Sequence, residues 1–257
     1  MKKFFALAAM AAMLFACGED KPTPKPTPEP GPEGPEFVSK ITVDGDFSDW
    51  ASLDASKVSV AELPELPVKY DALTLVKVYA DEMYLNVYFE FDDVVVADKS
   101  WVPFHMYINA DGDETTGGGD ALWAPYCAEW LLETSIFSDG AFMSYDPAVF
   151  PWDEASASAA GEEYGWYWKV EGAAGDETDN WGALIGEGMG VASGAGTGNA
   201  YEIQVIREMI PGEWADTFTI SFDIQQNWST AGALPILTAT DENPDGATTQ
   251  MVVTIDK

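Results

Sequence analysis

The chain is poor in cysteine, histidine and basic side chains, and each scarcity closes off a class of chemistry. Of its two cysteines, Cys17 ends an N-terminal apolar run and Cys127 is the other thiol, so no disulfide can form within the chain once Cys17 is lipidated. Core packing and bound metal must then supply stability. A single histidine, His105, rules out a zinc site made of several histidines. A Ser-His-Asp triad would need that histidine, and no nucleophile elbow accompanies it. His105 sits in Phe104-His105-Met106-Tyr107, where alternation puts it on one face of a strand, in a core or surface role. A distal methionine could complete a haem ligand pair with it, but its neighbours give that no support. Twelve Lys and Arg against 44 Asp and Glu leave a formal charge of −32. Such a surface repels nucleic acid and anionic membranes and favours solubility and cation binding. Long helical runs are missing too, and no internal repeat suggests a propeller.

Lys2 and Lys3 precede an apolar run over residues 4–16 that stops at Cys17, the layout of a secretory signal over residues 1–16. The run is too short and wrongly flanked for a spanning helix. Leu14-Phe15-Ala16-Cys17 resembles the lipobox of bacterial lipoproteins, which implies a lipidated Cys17; the alternative is a plain secreted protein cut near Ala16. Glu19 and Asp20 resemble the export signals of surface lipoproteins in gut Bacteroidetes, which implies an outer-membrane anchor with the protein facing outside. Residues 17–36, Cys17 followed by prolines among Thr, Lys, Glu and Gly, read as an extended tether. At roughly 3.1 Å per residue it could hold the rest several nanometres from the lipid. Residues 37–257 are expected to form one domain.

Strand signals are strong in that domain. Residues 84–91 place Leu85, Val87, Phe89 and Phe91 on one face and Tyr84, Asn86, Tyr88 and Glu90 on the other, predicting a half-buried strand. With 73–80 before it and Asp81-Glu82 between, the pair reads as a β-hairpin. Phe218, Ile220, Phe222 and Ile224 alternate with polar residues in the same way, and Ile203 and Val205 continue the pattern. Further strands are expected at 38–43, 57–62, 103–108, 129–136, 166–170 and 251–255. Many short strands with Gly- and Asp-rich connections predict an all-β, antiparallel β-sandwich of jelly-roll or Greek-key type.

One loop concentrates oxygen ligands among glycines: Asn109-Ala110-Asp111-Gly112-Asp113-Glu114-Thr115-Thr116-Gly117-Gly118-Gly119-Asp120. Ca²⁺ takes roughly 6–8 oxygen ligands, and acidic residues in a glycine-bearing turn supply oxygens with little bulk. The expected ligands are Asn109, Asp111, Asp113 and Asp120, with Glu129 from the next strand and a backbone carbonyl near Thr115. The spacing is not that of an EF-hand, and strands flank it instead of helices. The alternative is a solvated acidic hairpin loop.

The opening Ile41-Thr42-Val43-Asp44-Gly45-Asp46-Phe47-Ser48-Asp49-Trp50 resembles that of sandwich domains related to family-nine carbohydrate-binding modules, a DOMON-like group. The hairpin with Asp81 at its turn, the strand and acidic loop over 106–120, and Glu129-Trp130-Leu131-Leu132-Glu133 are similar to later parts of that pattern. Beyond residue 133 only 201–211 and the Phe218 strand keep its rhythm. The resemblance implies an antiparallel sandwich, a structural Ca²⁺ and often a sugar bound by aromatic side chains, without naming a glycan.

Pyranose rings present C–H faces that pack on Trp or Tyr, and the chain has ten of each. Trp123, Tyr126, Trp152 and Trp181 stand in Gly-rich, Pro-rich or acidic segments where a core role is less natural, and they are the sugar-binding candidates. Asp120, Asp153 and Asn180 could bond hydroxyls beside them. Trp166 and Trp168 would share a strand face, either glycan platform or core. Trp50 and Trp214 are expected to plug the sandwich ends, and Trp228 lies near a turn. Carboxylates are abundant, but no residue string marks a glycosidase acid. The expectation is a non-catalytic, calcium-stabilised surface lipoprotein that captures oligo- or polysaccharide, beside a neighbouring transporter or hydrolase. The rival is a protein-interaction or structural module whose exposed aromatics contact protein. A weakly active hydrolase or lyase auxiliary comes third.

Overall fold

The computed structural model describes residues 37–65, 67–118, 127–152, 166 and 183–257. Ser39–Lys257 forms one compact unit, an all-β sandwich of antiparallel sheets, one of them curled into a half-barrel. The first sheet runs β1 (Ser59–Glu62), β2 (Leu73–Ala80), β3 (Tyr84–Phe91), β9 (Ala200–Ile206), β8 (Ala192–Thr197). The second runs β11 (Ser229–Leu234), β10 (Thr217–Gln226), β4 (Trp101–Asn109), β5 (Trp130–Ser138), β6 (Ala141–Phe142). On it, β14 (Met251–Thr254) pairs β10 and β7 (Ala148–Pro151) pairs β5, while β12 (Ile236–Leu237) and β13 (Ala247–Thr248) form a small ladder apart.

Period-two alternation makes the core. Leu85, Val87 and Phe89 from β3 and Ile203 and Val205 from β9 face Phe104, Met106 and Ile108 from β4 and Phe218, Ile220 and Phe222 from β10, all buried. Phe89 stacks on Phe104 across the sheets, centroids 4.1 Å apart and planes at 9°. The β2–β3 hairpin forms as expected: Asp81 Oδ1 accepts from the N–H groups of Met83 (2.9 Å) and Tyr84 (2.7 Å) and closes the turn.

Two expectations about strands are corrected. No strand forms over 38–43, and residues 84–91 are not half-buried, since Asn86 and Tyr88 on the outward face are covered as well. One cause explains both. Residues 39–58 lie across the outer face of the first sheet, where Ile41 and Trp50 cluster with Tyr79, Tyr88 and Ala200. Glu202 of β9 anchors that cover: Oε1 accepts from the N–H groups of Asp44 (3.0 Å) and Gly45 (2.8 Å), and Oε2 from Trp50 Nε1 (3.2 Å). Burial raises the pKa of its carboxyl, and the donated hydrogen bonds work the other way. Gly45 holds φ +81°, a left-handed conformation that glycine adopts freely. Asp46 then caps a 3₁₀ turn, Phe47–Ser52, by accepting from Ser48 N–H. The Asp-Gly-Asp-Phe-Ser-Asp-Trp string is therefore a docking device for the N-terminal cover. Trp50 packs on a sheet face, against Tyr88, rather than plugging an end of the sandwich.

Candidate functional site

The second sheet also has a buried outer face. Strand β4 sends His105, Tyr107 and Asn109 there, β5 sends Leu131 and Glu133, and β10 sends Ser221 and Asp223, because these alternate with the core residues. The register sets Asp223 and Glu133 on either side of His105, and Tyr107 beside Ser221 and Leu131. Tyr107, Leu131, Ala148, Phe150 and Trp166 form a second apolar cluster there, with Trp152 packed against it.

Within this cluster lies a polar row that the sequence did not announce. His105 Nδ1 is 2.7 Å from Asp223 Oδ1 and Nε2 is 3.2 Å from Glu133 Oε2. Nε2 finds no acceptor in line with its N–H despite that distance. Asp223 also receives Thr230 Oγ1 at 3.1 Å and Tyr107 Oη at 3.4 Å. Burial works against the imidazolium, but the charges of Asp223 and Glu133 and the close Asp223 contact prevail and push its pKa up to about 10. His105 is therefore a cation at neutral pH. Among the described residues, Ser221 Oγ and Trp166 Nε1, both buried on this face, have no hydrogen-bond partner. Buried polar atoms left unpaired in this way are uncommon and call for an explanation. No sequence signal singles out His105 with Asp223 and Glu133, because the three are far apart in the chain and meet only through strand register.

Of the four aromatic candidates, Trp152 is described; Trp123, Tyr126 and Trp181 lie outside the described residues, as do Asp153, Asn180 and Trp168. Trp152 is half-buried, its ring centroid 5.2 Å from that of Trp166 with planes at 76°. Trp166 in turn lies 5.8 Å from Tyr107. Of the two readings offered for Trp166, it sits in the core-like cluster, 2 % exposed. The strand expected over 166–170 falls outside the described residues apart from Trp166, which is not in a strand. Trp228 occupies the tip of the β10–β11 hairpin, 75 % exposed. Trp214 packs edge-on against Phe218.

The acidic loop follows β4 and abuts the aromatic cluster. Gly118 pairs with Ala128 through both backbone hydrogen bonds, and the Trp152 ring lies across it so closely that a Cβ there would come within 1.9 Å of Cε2. Gly117 holds φ +67° against the Cys127 and Ala128 carbonyls. Loop and indole are thus packed as one piece. Asn109, 1 % exposed, accepts from Gly112 N–H at 2.8 Å and donates to Cys127 Sγ at 3.1 Å. Asp113 Oδ1 accepts from Thr115 N–H and Oγ1, which lower its pKa. Glu129 Oε2 accepts from Ala110 N–H at 2.7 Å. Burial, opposed by that hydrogen bond and reinforced by the charge of Asp111, pushes the Glu129 carboxyl up to about 7.

Four oxygens converge on one hydroxyl. Asp111 Oδ1 and Oδ2, the Asp113 carbonyl and Glu129 Oε1 lie 3.3, 3.1, 3.1 and 3.2 Å from Thr116 Oγ1. A hydroxyl carries one hydrogen and can satisfy one of them. Among the described residues, no group of three or more His, Cys, Asp or Glu is arranged to hold a metal ion. Asp111 and Glu129 are brought together, Asn109 and Asp113 are occupied in closing the loop, and Asp120 lies outside the described residues. Hard oxygen donors fit Ca²⁺ in kind.

The fold defines an all-β sandwich with a polar and aromatic outer sheet face beside an oxygen-rich loop. No family model matches the chain, and no curated protein matches it.

Proposed function

We propose that this protein is a non-catalytic, calcium-stabilised carbohydrate-binding lipoprotein, anchored through Cys17 in the outer membrane with its domain facing outward, that captures oligo- or polysaccharide. One observation carries the reading: a half-buried indole, Trp152, stands edge-on to Trp166 beside a sheet face whose charged groups are fixed by packing. Rings supply the surface on which a pyranose lies, and prearranged polar groups orient its hydroxyls. Trp123, Tyr126 and Trp181 are assigned to the same role.

Ca²⁺ fits the account through Thr116. A cation among Asp111, Glu129 and the Asp113 carbonyl would relieve the oxygens that one hydroxyl cannot serve; Asn109, Asp113 and Asp120 are assigned to its shell as well, the first two on condition that they share or release the loop donors they now hold. Since Gly118 packs beneath Trp152, ordering the loop also orders the ring.

The alternative, a protein-interaction module, draws support from Trp228 and Val94, 75 % and 84 % exposed. Affinity electrophoresis against a panel of polysaccharides separates the two. Retardation by at least one glycan, abolished in Trp152→Ala with the fold intact, is the expected result; no retardation by any glycan favours the alternative.

A further inference from the structure

Arg207 is the only arginine in the chain. It opens the 3₁₀ turn Arg207–Met209 after β9 and is 9 % exposed. Nη1 donates to the carbonyls of Asp81 (2.5 Å) and Glu82 (3.2 Å), which ties the guanidinium to the β2–β3 turn. Its Cζ lies 4.9 Å from the ring centroid of Trp214. Among the described residues it forms no ion pair within hydrogen-bonding reach, although the charge of Asp81 favours its cationic form against burial. Among the described residues, its Nε and the Trp214 Nε1 are buried donors without partners, and Asp81 Oδ2 is also unpaired.

Nη1 is thus spent on the backbone, while Nε, on the edge of the guanidinium that can grip a carboxylate, has no partner among the described residues. Arg207 and Trp214, with Glu82, Glu208, Ile210, Pro211 and Gly212, line a cleft of about 460 Å³. That is the size of a small-ligand site. The indole lies against the guanidinium. Glu82 and Glu208 on the rim and the charge of −32 turn away polyanions, so the site suits one negative group on an otherwise neutral body.

We propose that the Arg207–Trp214 cleft binds a carboxylate carried on a ring-sized neutral body: its oxygens approach the Arg207 guanidinium, and its ring lies along Trp214. This site is separate from the Trp152 face and does not depend on that face binding sugar.

A single arginine gives a single guanidinium Nε–H peak, so ¹H–¹⁵N spectra of the full chain read the site directly. Glucuronate at millimolar concentration is expected to shift the Arg207 Nε–H and one indole N–H saturably, with glucose silent. Cyclohexanecarboxylate shows whether the ring must be a sugar: a response to glucuronate alone assigns a uronate site, and a response to both assigns a general ring carboxylate. Arg207→Lys, which keeps the charge but loses the fork, and Trp214→Phe should each weaken binding roughly tenfold or more. Unmoved peaks in the native chain, equal shifts with glucose or with chloride, or undiminished binding by both folded variants would overturn the proposal.

Discussion

A buried imidazole between two carboxylates makes stability depend on pH in a calculable direction. His105 faces Asp223 on β10, Glu133 on β5 and Tyr107 on its own strand, and its pKa is pushed up to about 10 in the folded state. A group whose folded pKa exceeds its unfolded value near 6.5 contributes stability in full below that value and loses it as pH climbs toward 10. Urea denaturation between pH 7 and 10 should show native stability falling, and His105→Gln should flatten that slope; equal slopes would mean that the imidazole is neutral in the fold. Gly118 gives a second single-residue test. Its missing side chain is the space the Trp152 ring fills, so Gly118→Ala should cost about 1–3 kcal/mol in the same assay and alter the emission of that indole. An unchanged protein would mean that the ring does not rest there.

Among the elements, the N-terminal segment covers the first sheet. Residues 39–58 are held by Glu202, which serves three donors. Glu202→Ala leaves the buried Trp50 N–H unpaired and the part-buried Asp44 and Gly45 N–H groups without their acceptor, at a cost of about 1–3 kcal/mol. Limited proteolysis should then cut within residues 39–58 before the strands. The acidic loop is the second element with a testable role. Calcium should raise the melting temperature, EDTA should reverse that rise, and Asp111→Ala combined with Asp113→Ala should abolish the response; a chelation-insensitive native protein would remove the metal from the account. Strand alternation made β2, β3, β4, β5, β10 and β14 legible from residues alone, because their apolar positions recur every second residue. It could not reveal β8, Ala192–Thr197, whose Ala-Ser-Gly-Ala-Gly-Thr has no apolar rhythm and is a strand because β9 pairs with it. There Gly194 and Gly196 leave room for the Tyr201 ring, a packing demand that no local pattern encodes. The same limit hid the outward faces: Asn86 and Tyr88 look solvent-facing by alternation, and only the docking of residues 39–58 buries them.

For the whole molecule, surface charge and the placement of aromatics carry the functional argument. An excess of acids keeps polyanions away and favours cations and ligands of little charge. The oxygen-rich loop was legible because its ligand types are contiguous, whereas the His105 row was not, since β4, β5 and β10 each contribute one member. Joining the two is Trp152, which rests on the loop at Gly118 and touches the cluster above the polar row at Trp166. The most direct test of the account titrates the full chain, native and Trp152→Ala, with a glycan retained in affinity electrophoresis, in calcium and after chelation, and analyses the glycan afterwards. The account predicts saturable binding by the native protein, at least tenfold weaker binding by the variant, weaker binding without calcium and a glycan recovered intact. Undiminished binding by Trp152→Ala, or a glycan returned cleaved, would contradict it.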